Sequence, residues 1–259
     1  MTYITVPRAL AAVTLAGVAA LALTACGDYN APGQLGQLQQ QLQSCPDGLK
    51  VATRVDWDGT GSGRSTQLDT ERLAIIEQLA TEVAICGGHF TVTGYSSSSG
   101  ATVTLYDAEI TMPGATSNAQ LRRVPQAVED LMTEIKDAYP DALASLPTDG
   151  SDITGVWRLA SEQQAQLGDG YQFQYVNLTD GLDNVGVTLD AGLTPERATT
   201  LADQITVPKL DGAEVTVAGI GRVAGAPVSS HLAEALVAYY DRLCERTGAA
   251  SCLAVTDWR

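Results

Sequence analysis

Apolar positions along this chain alternate between two periods. "LKVATRVDW" (49–57) has the alternation of a strand. Next, Leu73, Ile76, Leu79, Ala80, Val83 and Ala84 recur at helical spacing, which predicts a helix across 70–88 that Gly87 and Gly88 stop. "HFTVTGY" and "ATVTLYDAEI" return to β-rich composition on either side of "SSSSG" (96–100), the pattern of a hairpin. Further helices are expected in "RRVPQAVEDLMTEIKDAY", with Pro125 near its start, and in "DITGVWRLASEQQAQLG", stopped by Gly168. "TPERATTLADQI" has Thr194 as N-cap and Pro195 at the first position, and "SSHLAEALVAYYDRLCERTG" has Ser230 as its cap. "YQFQYVNLT", "AEVTVAGIG" and "SCLAVTDW" complete the strands.

The order β-α-β-β-α-α-β-α-β-α-β predicts an α/β fold. It is that of an open, doubly wound, Rossmann-like sheet of about six strands, mostly parallel with one antiparallel edge strand, and with helices on both faces. Such sheets bind ligands beyond the carboxyl ends of their strands, at the switch point of the strand order. Asp58 and Asp180 both lie just past a strand's carboxyl end.

Charge narrows the partners. The chain of 259 residues has a net charge of −15 and only 5% aromatics. Such a chain repels phosphate backbones and offers no platform for stacked bases, so nucleic acid is excluded as a partner, while cations are attracted. "MTYITVPR" followed by "ALAAVTLAGVAALAL" is an apolar run too short for a comfortable membrane span. It ends in "LTAC", which resembles the lipobox of bacterial lipoproteins. That resemblance implies a signal peptide over 1–25, a lipidated Cys26, and attachment to the extracytoplasmic face of the cell membrane through the lipid alone. Residues 26–45, rich in Gln and Gly, read as a flexible tether, although "LQQQLQS" could form a short helix. The domain proper is expected over 46–259.

Of the 5 cysteines, Cys45, Cys86, Cys244 and Cys252 remain beside Cys26, an even count that suggests two disulfides in an exported chain. With no C-x-x-C and 2 histidines, a zinc site is not expected. Three pairings are open, and topology separates them. A helix after a parallel strand runs back, so Cys86 at a helix end and Cys45 before the first strand share the sheet's amino edge. Cys244 and Cys252 meet at the same edge across "ERTGAAS". The expected bridges are Cys45–Cys86 and Cys244–Cys252.

The chemistry lies in three loops. "DGTGS" (58–62) places Asp58, Thr60 and Ser62 at alternating positions, where their oxygens can converge on one hard cation. "DGSDITG" (149–155) enters a helix, and "NLTDG" ends a strand. Together these resemble the metal-ion-dependent adhesion site of von Willebrand factor A (VWA) domains, with its D-x-S-x-S loop, later Thr, and Asp after the fourth strand. The resemblance spans roughly residues 46–259. It implies Asp58, Thr60, Ser62, Ser151 and Asp180 as ligands of Mg²⁺, or of Mn²⁺ or Ca²⁺. Thr60 replaces the family's first Ser and Ser151 its Thr, so each position keeps a hydroxyl. Asp152 reads either as an anchor for this loop or as a carboxylate favoured by the helix dipole.

Other signals are weaker. "GIGRVA" (219–224) fits a dinucleotide pattern but lacks the acidic partner, and reads as a strand end. His89 and His231 join no catalytic pattern, and Trp57, Trp157 and Trp258 read as packing. "NLT" falls in a buried strand, where a glycan has no room. The resemblance thus implies a non-enzymatic binding protein that engages a carboxylate on a protein or glycan partner through its cation. The alternative is a structural or assembly lipoprotein with the same fold that docks a partner without metal. A metal-assisted hydrolase lacks a general base beyond the ligands themselves.

Overall fold

Strand β1 (Lys50–Asp58) is exposed only at Lys50 and buried over its other residues, so the sheet grows around it. The computed structural model describes residues 33–258; Cys26, the signal segment and the first part of the tether lie outside them. Helix α1 (Gln34–Leu42) precedes β1. After β1 come α2 (Thr66–Cys86), β2 (Gly88–Tyr95), β3 (Thr102–Ile110), α3 (Ser117–Leu121), α4 (Val124–Ser145) and α5 (Ile153–Leu167). Then follow β4 (Tyr171–Leu178), α6 (Pro195–Gln204), β5 (Glu214–Ala218), α7 (Ser230–Glu245) and β6 (Ser251–Val255). Among the described residues no helix is long and apolar enough to cross a membrane.

The sheet order is β3-β2-β1-β4-β5-β6, parallel throughout except for the β2–β3 pair. Val55 of β1 stands opposite Val92 of β2 on one side and Val176 of β4 on the other. The arrangement is consistent with a VWA-like fold. The chain leaves β1 towards β2 and later returns to β1's other side as β4. The order therefore reverses between β1 and β4, and their carboxyl ends form the crevice of such folds.

Two apolar layers sandwich the sheet. One face packs Trp157, Tyr175, Val217 and Leu236 under α5, α6 and α7. The other packs Val55, Trp57, Ile76, Phe90 and Ile135 under α2 and α4. Local chemistry sets the boundaries. Ser65 caps α2 by accepting from the Leu68 amide, and Gly87 ends it at φ 74°. Gly88 must be glycine, because a Cβ there would lie 1.8 Å from the carbonyl oxygen of Val51.

Four boundaries differ from expectation. Residues 34–42, read as spacer, form a helix because Leu38 finds an apolar seat and is 8% exposed. Helix α4 continues through Pro140 to Ser145. There Tyr139 stacks on Trp57 at 4.3 Å, and Ala142 and Leu143 are buried, so packing offsets the lost hydrogen bond. Ser229, not Ser230, caps α7, accepting from the Leu232 amide at 3.2 Å. The short helix α3 was not foreseen; Thr116 caps it.

Cys45–Cys86 and Cys244–Cys252 are both bonded, with sequence separations of 41 and 8. In the chain-entropy model the two loops constrain the unfolded chain by about 4 and about 2.5 kcal/mol. The Cys45→Ser/Cys86→Ser variant should therefore lose more stability than Cys244→Ser/Cys252→Ser, as read by urea denaturation. The reverse order would show that local strain or packing outweighs loop closure.

Candidate functional site

Asp58 is the last residue of β1, and its carboxylate is fully buried. Its Oδ1 accepts from the Thr60 amide at 2.9 Å and the Thr60 hydroxyl at 2.7 Å. Its Oδ2 accepts from the Thr179 hydroxyl at 2.7 Å and the Ser151 hydroxyl at 3.2 Å. The hydroxyl oxygens of Thr60 and Ser62 lie 3.4 Å apart. Asp180, two residues past β4, accepts from the Leu182 amide through Oδ1 at 2.9 Å. Its Oδ2 is buried without a hydrogen-bond partner. Burial, then the charge of Asp58, push the Asp180 carboxyl up to about 6. All five residues singled out in the sequence thus come together. Thr60, Ser151 and Asp180 are buried, and Ser62 is exposed, so the cluster opens to solvent on its Ser62 side.

The loops that carry these groups are fixed through their backbones. The Gly59 amide donates to the Tyr95 carbonyl at 2.8 Å, and the Gly61 amide to that of Thr148 at 3.1 Å. The loop packs closely at Gly59, where a Cβ would lie 2.9 Å from Leu146 Cδ1 and 3.1 Å from the Tyr95 carbonyl oxygen. The buried Arg72 of α2 donates to the carbonyls of both Asp58 and Gly63 at 3.0 Å. Asn184 accepts from the Ser151 amide at 2.7 Å. Asp152 serves the helix end and a neighbouring loop. One oxygen caps α5 through the Gly155 amide at 2.8 Å, and the other holds the "SSSSG" loop through the Ser99 amide at 3.0 Å.

Thr179 and Asp183 were not singled out in the sequence. Thr179 precedes Asp180 in "LTDG", and its contact with Asp58 spans 121 residues, so only the strand register reveals it. Asp183 is 1% exposed; its Oδ1 accepts from the Val185 amide, while Oδ2 has no partner. Burial pushes its carboxyl up to about 7, with the charges of Asp152 and Asp58 adding to the rise.

The donor set suits a hard divalent cation. Two carboxylates and three hydroxyls supply oxygen only, and a hydroxyl that donates one proton still has lone pairs to offer. Among the described residues no group of three or more His, Cys, Asp or Glu is placed to hold a metal ion, so the candidate rests on this mixed set. The unpartnered Asp180 Oδ2, buried beside a second carboxylate, is the feature a cation would satisfy.

No family model matches the chain, and no curated protein matches it in sequence. Solved structures do resemble it. The pilus adhesin SpaC of Lactobacillus rhamnosus GG, in an open conformation, shares 14% identity with a TM-score of 0.44 over 83% of this chain and 28% of its own. Manganese-loaded TRAP protein of Plasmodium vivax shares 16% with a TM-score of 0.39 over 73% of this chain and 63% of its own. Proximal thread matrix protein 1 of the mussel byssus shares 17% with a TM-score of 0.37 over 81% and 44%. The chain spans less than two thirds of each of these proteins, and at such identities and scores the site stands on its own geometry.

The Asp183 carboxyl gives a signed pH dependence. A carboxyl raised from 3.8 to about 7 favours the folded state at low pH, and that contribution is lost as pH rises through 7. At pH 8 in chelator, Asp183→Asn should exceed the wild type in stability by up to about 4 kcal/mol. At pH 4 the two should be nearly equal. Parallel stability–pH profiles from urea denaturation would contradict this.

Proposed function

We propose that this chain is a lipid-anchored, extracytoplasmic binding protein. In this reading Asp58, Thr60, Ser62, Ser151 and Asp180 hold a divalent cation that engages an acidic group on a protein or glycan partner. The observation that carries the reading is the buried, unpartnered oxygen of Asp180 in a cluster that already gathers Asp58 and three hydroxyls. A cation bound there supplies a Lewis-acidic centre with room for an anionic oxygen. The protein's own part is to hold the oxygens in place, which Arg72, Asn184 and the Gly59 amide do through the backbone. Ser62, the exposed member, marks the side from which a partner carboxylate approaches. The proposed role is binding and not turnover.

One observation favours a metal-independent docking lipoprotein. Both oxygens of Asp58 already accept hydrogen bonds, from Thr60, Thr179 and Ser151, so the cluster is wired without a cation. Magnesium titration separates the two. A cation at a hundred times its dissociation constant stabilises the fold by about 2.7 kcal/mol. Wild-type protein should show such a rise with Mg²⁺ or Mn²⁺. Asp180→Asn should be at least as stable as the wild type in chelator, because it removes a buried charge, yet should gain nothing from the metal. A wild type indifferent to both ions would support the metal-independent reading.

The anchor is tested separately, since Cys26 lies outside the described residues. Cys26→Ser should release the chain from the membrane fraction. If that variant stays membrane-bound and is processed at the same position, the lipoprotein reading fails.

A further inference from the structure

The segment "GIGRVA" (219–224) leaves β5 at the sheet's carboxyl edge and reaches two of the loops that carry the oxygen cluster. The Gly221 amide donates to the Asp180 carbonyl at 2.8 Å. Three residues on, the Ala224 amide donates to the Ser62 carbonyl at 2.6 Å. Three residues span at most about 11 Å when extended. The segment is therefore a short strap between the backbones of two candidate ligands, one after β4 and the other after β1.

The base of the strap is fixed by backbone. The Gly219 and Ile220 amides both donate to the Val255 carbonyl at 3.1 Å, and the Arg222 amide donates to that of Gly219 at 2.9 Å. Beyond it, residues 224–227 are exposed, and the cap of α7 comes only at Ser229. The Arg222 side chain holds that outer end. Its guanidinium bridges Glu71 of α2 and Asp257 after β6, each at 2.6 Å. A planar guanidinium can serve two carboxylates at once. Both acids sit beside anchored residues. Glu71 precedes Arg72, which donates to the carbonyls of Asp58 and Gly63. Asp257 precedes Trp258, whose indole donates to Gln78 of α2 at 3.0 Å. The ion pairs are partly exposed, so they contribute little to overall stability.

We propose that Arg222 is a positioning residue for the cation cluster. It clasps the strap to α2 and to the chain after β6, and so keeps the Ala224 amide on the Ser62 loop. This inference rests on the reading of Asp58, Thr60, Ser62, Ser151 and Asp180 as a cation site. Arg222 acts through the backbone of its own segment, since its side chain is engaged by Glu71 and Asp257. The sign of its effect separates positioning from simple charge. Removing Arg222 takes away a positive charge and frees two carboxylates at the same edge, which by electrostatics alone strengthens cation binding. Positioning requires the opposite.

The test is Mn²⁺ titration of the full chain carrying Cys26→Ser, read by electron paramagnetic resonance of the free ion, with amide hydrogen exchange measured in chelator. Arg222→Gln should weaken Mn²⁺ binding about tenfold. It should speed exchange of the Ala224 amide by a similar factor while leaving the urea midpoint in chelator nearly unchanged. Arg222→Lys keeps the charge and should bind the ion more tightly than Arg222→Gln. Affinity that is unchanged or raised in Arg222→Gln overturns the proposal, and so does an Ala224 amide that exchanges at the wild-type rate. Faster exchange of all amides together with a lowered midpoint overturns it too, because Arg222 would then serve the fold at large. The exchange readout needs no metal. A wild type that binds no Mn²⁺, with Ala224 protection lost in Arg222→Gln, would refute the cation reading and still support the clasp.

Discussion

Negative charge buried at the carboxyl ends of β1 and β4 is the constraint around which the upper edge of this molecule is arranged. Asp58, Asp180 and Asp183 are each at most 1% exposed. Asp56, two residues before Asp58 on the same strand, has Arg54 at 2.8 Å. The other three have hydrogen bonds in place of such a partner, and an oxygen of Asp180 and one of Asp183 lack even those. A buried carboxylate in that position is costly unless it is neutralised by a proton or a cation. Burial accordingly raises the carboxyls of both Asp180 and Asp183.

The surrounding architecture keeps these groups from relaxing apart. Asp58 ends a strand that is buried on both faces and paired on both sides. The loop after it is held by Tyr95, Thr148 and Arg72. Asp180 is fixed by the turn at Gly181, whose φ of 80° suits glycine and whose carbonyl accepts from the Tyr240 hydroxyl at 3.0 Å. The Ala224 amide, in the loop after β5, donates to the Ser62 carbonyl at 2.6 Å. The cluster is thus tied to both apolar layers, so moving one oxygen away from the others would disturb packed helices on both sides of the sheet.

Much of this was legible in the sequence because the local signals agree. The switch from period two to helical spacing, with Gly87-Gly88 and Gly168 as stops, locates the strands and helices, and a doubly wound order then places Asp58 and Asp180 at one edge. The amino-edge position of Cys45, Cys86, Cys244 and Cys252 follows from the same topology. What was not legible depended on tertiary packing. Gln-rich residues 34–42 carry few apolar positions, and the seating of Leu35, Leu38 and Leu42 on the apolar layer makes them a helix. The helix expected to stop at Tyr139 runs on through Pro140, where Tyr139 stacks on Trp57. Thr179 and Asp183 sit in a turn-like stretch, and their roles arise from contacts with distant elements.

The central claim is that these buried oxygens are a cation site. The most direct measurement is an anomalous difference map from crystals grown with Mn²⁺. The account predicts one strong peak at coordination distance from the side-chain oxygens of some or all of Asp58, Thr60, Ser62, Ser151 and Asp180, abolished in Asp180→Asn. No peak there in well-ordered wild-type crystals, or a peak that persists in the variant, would contradict it.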